Sequence, residues 1–307
     1  MLELAWKREV DFMVDGSLLN PERLVSLPLA DLLALPLPAG GSRTIRLEDL
    51  FWLQWHSGPS DMMVLRGDCS RVHSIGSRMT GGTLVIDGAA GDRVGLEMEG
   101  GTVIVSGNAG NEVGSGMRGG MVAIAGNCGD RLGMPRPGER SGIRGGDVYV
   151  AGNVGERACH RMRRGTVWIA GNAGEYLAPH MIAGTIFVHG KIAPQWGQRM
   201  RRGSLLFSSD PDAESGASLS PGRNLELSFL PLVWNHLRGR QSHLEQVCAP
   251  LSKTIWPRLA VPSTRWVERR IGDLAEGGRG EVLILKRLNS HAPTRESSPS
   301  ESGSPAS

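Results

Sequence analysis

Little in this chain announces chemistry. Only 5% of its 307 residues are aromatic, and the eight Trp outnumber the five Phe and two Tyr. The four cysteines, Cys69, Cys128, Cys159 and Cys248, form no C-x-x-C pair. Their spacing supports neither a disulfide framework nor a zinc knuckle, so no metal is expected in this chain. A formal net charge of +3 is too small to argue for a nucleic-acid partner. No stretch approaches eighteen apolar residues, so no membrane span is expected. The first residues carry Glu3, Lys7, Arg8, Glu9 and Asp11 where a signal peptide needs an apolar run. Together these absences predict a soluble, cytoplasmic, reduced protein.

Catalytic motifs are also missing. There is no G-x-S-x-G elbow, no H-E-x-x-H pair and no glycine-rich loop opening a helix. His160 beside Cys159, with His180 further on, is the one close imidazole pair, and it lacks a third ligand. The sequence therefore offers no catalytic residue.

What the chain has is glycine, 43 residues of it, about twice the usual ~7%. It recurs every nineteen residues at Gly88, Gly107 and Gly126, and again at Gly152, Gly171 and Gly190. Met79, Met98 and Met117 keep the same interval, as do Ile143, Met162, Met181 and Met200. A seven-residue insertion, Met134 to Arg140, separates the two series. A repeat this regular marks a supersecondary unit stable only when stacked on its neighbours. Each unit holds one β-branched run such as Thr102-Val103-Ile104-Val105, and none has room for a helix.

The expectation is an all-β fold: a right-handed parallel β-helix of about seven coils with small mixed caps at both ends. Residues 1–61 would form the N-terminal cap, 62–207 the glycine-rich coils and 208–290 a C-terminal appendage. Residues 291–307, rich in Ser and Pro, read as a disordered tail. The glycines would serve corners that need positive φ or close backbone approach. Asn108, Asn127, Asn153 and Asn172 follow the corner glycine and would stack as an amide ladder. The methionines read as a core column.

One pattern rises above this background. Beside the methionine column lie Arg118, Arg144, Arg161, Arg163, Arg164, Arg199, Arg201 and Arg202, with His180 in the column of Arg161 and Arg199. Guanidinium groups ~5 Å apart repel by about 1 kcal/mol in water and about 3 kcal/mol at an effective dielectric of 20. Two readings stay open: the arginines pair with Glu99, Glu112, Glu156 or Glu175, or they hold an acidic partner or polyanionic ligand.

The string M-x-G-G-x-[VIL]-x-[VI]-x-G-N-x-G, repeated over about residues 62–207, resembles the glycine-rich domain of two families. One is the C subunit of formylmethanofuran dehydrogenase and of the bacterial formyltransferase/hydrolase complex; the other is the C-terminal domain of the large glutamate synthase polypeptide. The segment Leu35 to Leu53, LPLPAGGSRTIRLEDLFWL, is similar to the lead-in of the first. The resemblance implies a non-catalytic scaffold in tetrahydromethanopterin-linked one-carbon metabolism, partnered by amidohydrolase-like A, B and D subunits. It places zinc, and in a true dehydrogenase a molybdenum or tungsten pterin, in those other chains. A methanofuran-like carrier with an acidic tail becomes a candidate ligand of the arginines. The alternative is a stand-alone glutamate synthase component of the same repeat type. A catalytic β-helix such as a lyase or a six-residue-period acyltransferase fits less well.

Overall fold

A computed structural model describes residues 1–7, 10–41, 43–211, 214–249, 257 and 259–286. The β-branched runs form short strands because each holds three or four consecutive apolar residues and, in six of the seven, a glycine follows within two residues. Thr83–Asp87, Thr102–Val105, Met121–Ile124, Arg144–Val150, Arg164–Ile169, Thr185–Val188 and Ser204–Phe207 lie side by side in chain order, all parallel. The nineteen-residue interval is the register of this ladder: Thr83 stands opposite Thr102, and Thr102 opposite Met121. Met62–Arg66 and Leu2–Trp6 extend the parallel set at one end, and Phe51–Trp55 closes it antiparallel. At the other end Gly280–Leu285 pairs in parallel with Ser204–Phe207, followed by antiparallel Trp266–Gly272 and Arg223–Glu226. Thirteen strands result, and a second sheet of four joins Arg43–Arg46, Pro36–Ala39, Val14–Asp15 and Val72–His73.

This architecture corrects the all-β, right-handed parallel β-helix expected from the repeat. The fold is a mixed, α/β-type one: a large, mostly parallel sheet, a second small sheet, and helices that include the nineteen-residue Leu230–Cys248. Its physical reason lies on the large sheet. Val103, Val122, Val148, Val167 and Ile186 face one core, with the methionine column and Val94, Val113 and Leu177. Their neighbours Ile104, Ala123, Tyr149, Trp168 and Phe187 face a second core, closed by Leu230, Trp234, Leu237, Leu244 and Cys248 of the long helix. Parallel strands buried on both faces read as continuous apolar runs rather than alternating ones. The helix rises about 5.4 Å per turn, close to the ~4.8 Å strand spacing, so one turn advances nearly one strand as it crosses. Trp234 meets Phe187 edge-on at 5.7 Å, and Arg240 reaches Asp147, two strands further along, at 2.9 Å.

Residues of the N-terminal cap segment and of the C-terminal appendage contribute strands to the same sheet. The 291–307 tail lies outside the described residues. No helix among those described is long and apolar enough to cross a membrane.

Candidate functional site

The corner bearing the arginines is built by backbone hydrogen bonds from each unit to the one before. Arg118 N donates to Met98 O at 2.8 Å, Arg144 to Met117 at 2.7 Å, Arg163 to Ile143 at 2.8 Å, Ile182 to Met162 at 2.8 Å and Arg201 to Met181 at 2.8 Å. The next position carries Arg164 and Arg202. One residue before the buried methionines, Arg161, His180 and Arg199 form a neighbouring row, each in the left-handed region, at φ 51°, 55° and 56°.

The corner divides in two. At its N-terminal end Arg118 pairs with Glu99 at 3.0 Å, and Arg144 with Glu139 of the insertion. At the other end Arg199 pairs with Glu276 at 3.5 Å. Exposed Arg161, Arg163, Arg164, Arg201 and Arg202 form no ion pair among the described residues. Glu112 is taken by Arg93 and Arg131, 3.2 Å from each. Ile182 and Ala183 separate Arg163 and Arg164 from Arg201 and Arg202, so these pairs stand two strand spacings apart, ~9.6 Å. At that distance repulsion in water is only about 0.4 kcal/mol. Between the two pairs, therefore, repulsion alone does not require a counter-ion.

His160 and His180 lie within this positive region, ring centroids 5.6 Å apart. Burial lowers the pKa of both, and the charge of Arg161 lowers it further; Arg199 and Arg201 add to the effect at His180. Among the described residues no group of three or more His, Cys, Asp or Glu is arranged to hold a metal ion.

The asparagines do bond along the stack, but side chain to backbone rather than amide to amide. Oδ1 of Asn108, Asn127, Asn153 and Asn172 accepts from the backbone N–H of Asn127, Asn153, Asn172 and Lys191, each at 2.8 Å. A second row, missed in the sequence, runs parallel to it: Asp92, Asn111 and Asp130 accept from the N–H of Asn111, Asp130 and Glu156 at 2.8–2.9 Å. The recurrence of Asp, Asn or Glu four residues after the corner glycine was its signal. The corner glycines Gly107, Gly126, Gly152, Gly171 and Gly190 are needed for space. A Cβ on Gly107 would stand 2.8 Å from the Gly88 carbonyl, and one on Gly126 2.7 Å from the Gly107 carbonyl oxygen. Gly88 packs in the same way on Gly67.

A polar cleft of about 540 Å³ opens between the N-terminal segment and the first units, where Arg78 and Glu97 occupy the same row, one residue before the buried methionines, as Arg161, His180 and Arg199 further along. Its lining mixes the N-terminal segment, two repeat units and the insertion, so of it the period marks only Arg78 and Glu97.

No family model and no curated protein matches the chain. A solved structure does: a chain of the formyltransferase/hydrolase complex FhcABCD from Methylorubrum extorquens, in complex with methylofuran. The two are 26% identical with a TM-score of 0.75, covering 93% of this chain and 100% of that one. The likeness therefore embraces the N-terminal strands, the repeat and the helix-bearing C-terminal segment together.

Proposed function

We propose that this chain is the repeat-bearing member, equivalent to the C subunit, of a formyltransferase/hydrolase complex in methanofuran-linked one-carbon metabolism. Its role is structural: it holds amidohydrolase-like and formyltransferase-like partners, and the formyl chemistry belongs to them. The observation that carries this reading is the likeness to a chain of FhcABCD over that chain's full length. Zinc, or a molybdenum or tungsten pterin, belongs in this reading to the partner chains.

The unpaired arginines give the role a second part. Arg163, Arg164, Arg201 and Arg202 present four exposed guanidinium groups in two pairs about 9.6 Å apart, close to three residues of an extended chain. An acidic carrier tail or an acidic partner segment laid across them would meet charge at both points, and each contact would be salt-sensitive.

Affinity purification of the tagged full chain from its native cell tests the first part. Co-purification of a zinc amidohydrolase-like chain and a formyltransferase-like chain is expected; flavin and iron–sulfur chains in their place would overturn it. Changing Arg163, Arg164, Arg201 and Arg202 together to Glu tests the second. The assembly should persist while carrier retention falls, and full retention by an intact assembly would refute the role of the arginines.

A further inference from the structure

The insertion that breaks the repeat, Met134 to Arg140, has no part in the stack, and its position invites a reason. It is anchored where Ser115 Oγ donates to Met134 O at 2.8 Å. From there Arg136 reaches back to Glu97, Nη1 to Oε1 at 2.7 Å. Arg78 approaches the other oxygen of the same carboxylate, Nε to Oε2 at 2.9 Å. One carboxylate thus lies between two guanidinium groups contributed by different units, and the trio keeps one net positive charge. These three residues form one side of the 540 Å³ cleft; Asn20, Glu22 and Arg23 of the N-terminal segment form the other.

The two sides are unequal in hydrogen bonding. Glu22 is engaged, accepting from Thr80 N, Thr80 Oγ1 and Gly81 N at 2.6–3.0 Å. Asp15, also in the lining, accepts from Ser17 N at 2.8 Å. The carboxylates are therefore occupied, whereas Arg23, Arg78 and Arg136 keep N–H groups directed at no acceptor among the described residues. Asn20 is the exception. It is 7% exposed, its Nδ2 donates to Ser77 O at 2.9 Å, and its Oδ1 has no partner among the described residues. The Ser77 carbonyl fixes the amide orientation, because the flipped amide would set oxygen against oxygen. An acceptor this deeply buried and left unmade costs about 1–3 kcal/mol, and a donor that reached it from the cleft would recover that cost.

We infer that this cleft is a binding site for a small hydroxylated carboxylate, its acid group held by Arg78 and Arg136 and one hydroxyl donating to Asn20 Oδ1. The volume suits a single small organic ligand. The inference stands apart from the assembly role, since the cleft lies at the first units, away from Arg163, Arg164, Arg201 and Arg202, and its test needs no partner.

The probe is D-gluconate, titrated into the full-length chain while the side-chain resonances of Asn20, Arg78 and Arg136 are followed by NMR. Sorbitol, with the hydroxyls but no acid, and sulfate, with charge but no carbon-bound hydroxyl, are the comparators. A saturable gluconate shift is expected, with affinity at least about tenfold above either comparator, equivalent to about 1.4 kcal/mol. Arg136→Ala, confined to the insertion and leaving the Asn20 seat intact, should weaken gluconate about tenfold; Asn20→Leu should do the same. The inference fails if gluconate gives no saturable shift, if sorbitol or sulfate matches it, or if Arg136→Ala binds as the parent does.

Discussion

Trp234→Ala tests whether the long helix seals the outer face of the sheet or merely rests on it. Trp234 is 1% exposed, meets Phe187 edge-on at 5.7 Å, and donates Nε1 to Thr264 O at 2.9 Å. A buried Trp removes about 150–250 Å² from water, which at ~25 cal/mol per Å² is about 4–6 kcal/mol as an upper figure. The indole–ring contact adds about 0.5–1.5 kcal/mol. Truncation leaves the Thr264 carbonyl without this donor, and measured Trp→Ala changes in cores run to about 3–5 kcal/mol. That loss exceeds what Leu237, Leu244 and the Arg240–Asp147 pair can hide. Helix docking should therefore weaken by about 3–5 kcal/mol, exposing Tyr149, Trp168 and Phe187.

Hydrogen exchange with peptide resolution is the assay. Residues 230–248 should lose protection by roughly two to four orders of magnitude (~1.4 kcal/mol per decade), while Thr102–Val105 and its inward neighbours change little. Leu232→Ala, at a position 72% exposed, is the matched control and should stay within about 0.5 kcal/mol of the parent. Unchanged protection of 230–248 in Trp234→Ala would refute the two-faced sheet.

Two further changes probe the stack itself. Gly126→Ala places a Cβ 2.7 Å from the Gly107 carbonyl oxygen, where neither backbone can yield without moving its unit; a loss of about 3 kcal/mol is expected from chemical denaturation, and a loss under about 0.5 kcal/mol would show that the units are not in close contact. Glu97 titrates below the usual glutamate range, first because Arg136 hydrogen-bonds it and then through Arg78, against an opposing burial effect. A depressed folded-state pKa stabilises above the unfolded value of about 4.3 and loses that stabilisation as pH falls through the folded value. The melting temperature of Glu97→Gln should therefore lie below the parent's at pH 7 and converge with it as pH drops below about 4.3; a gap that persists at low pH would exclude this titration as its cause.

The sequence made the interior legible and concealed the exterior. Interval alone located the strands and the methionine column, because residues one period apart are forced into the same column whatever covers them. The covering was harder to read. Tyr149, Trp168 and Phe187 occupy outward positions, and their apolar character was the mark of a second buried face; it went unread because a nineteen-residue unit contains no helix. The covering helix comes from beyond the repeat, at Leu230–Cys248, where glycine periodicity has ended. Asp147 gave a similar unread sign. It stands where other units have Thr83, Thr102, Thr166 or Thr185, and it is the residue that Arg240 of the helix engages.

The same logic governs the candidate sites. A column of like residues is visible in sequence, so the arginines stand out there, but their pairing does not. Arg118 and Arg144 are neutralised by Glu99 and by Glu139, the second lying in the insertion outside the period. Periodicity marks only part of the cleft, the in-phase residues Arg78 and Glu97, and gives no sign of Asn20 or of Arg136 in the insertion. In a stacked fold the period specifies what every unit shares, which is packing. Residues that differ between units carry what the period does not specify: the insertion, the flanking segments, the substituted Asp147, and the charges that vary along the row of Arg78, Glu97, Arg161, His180 and Arg199.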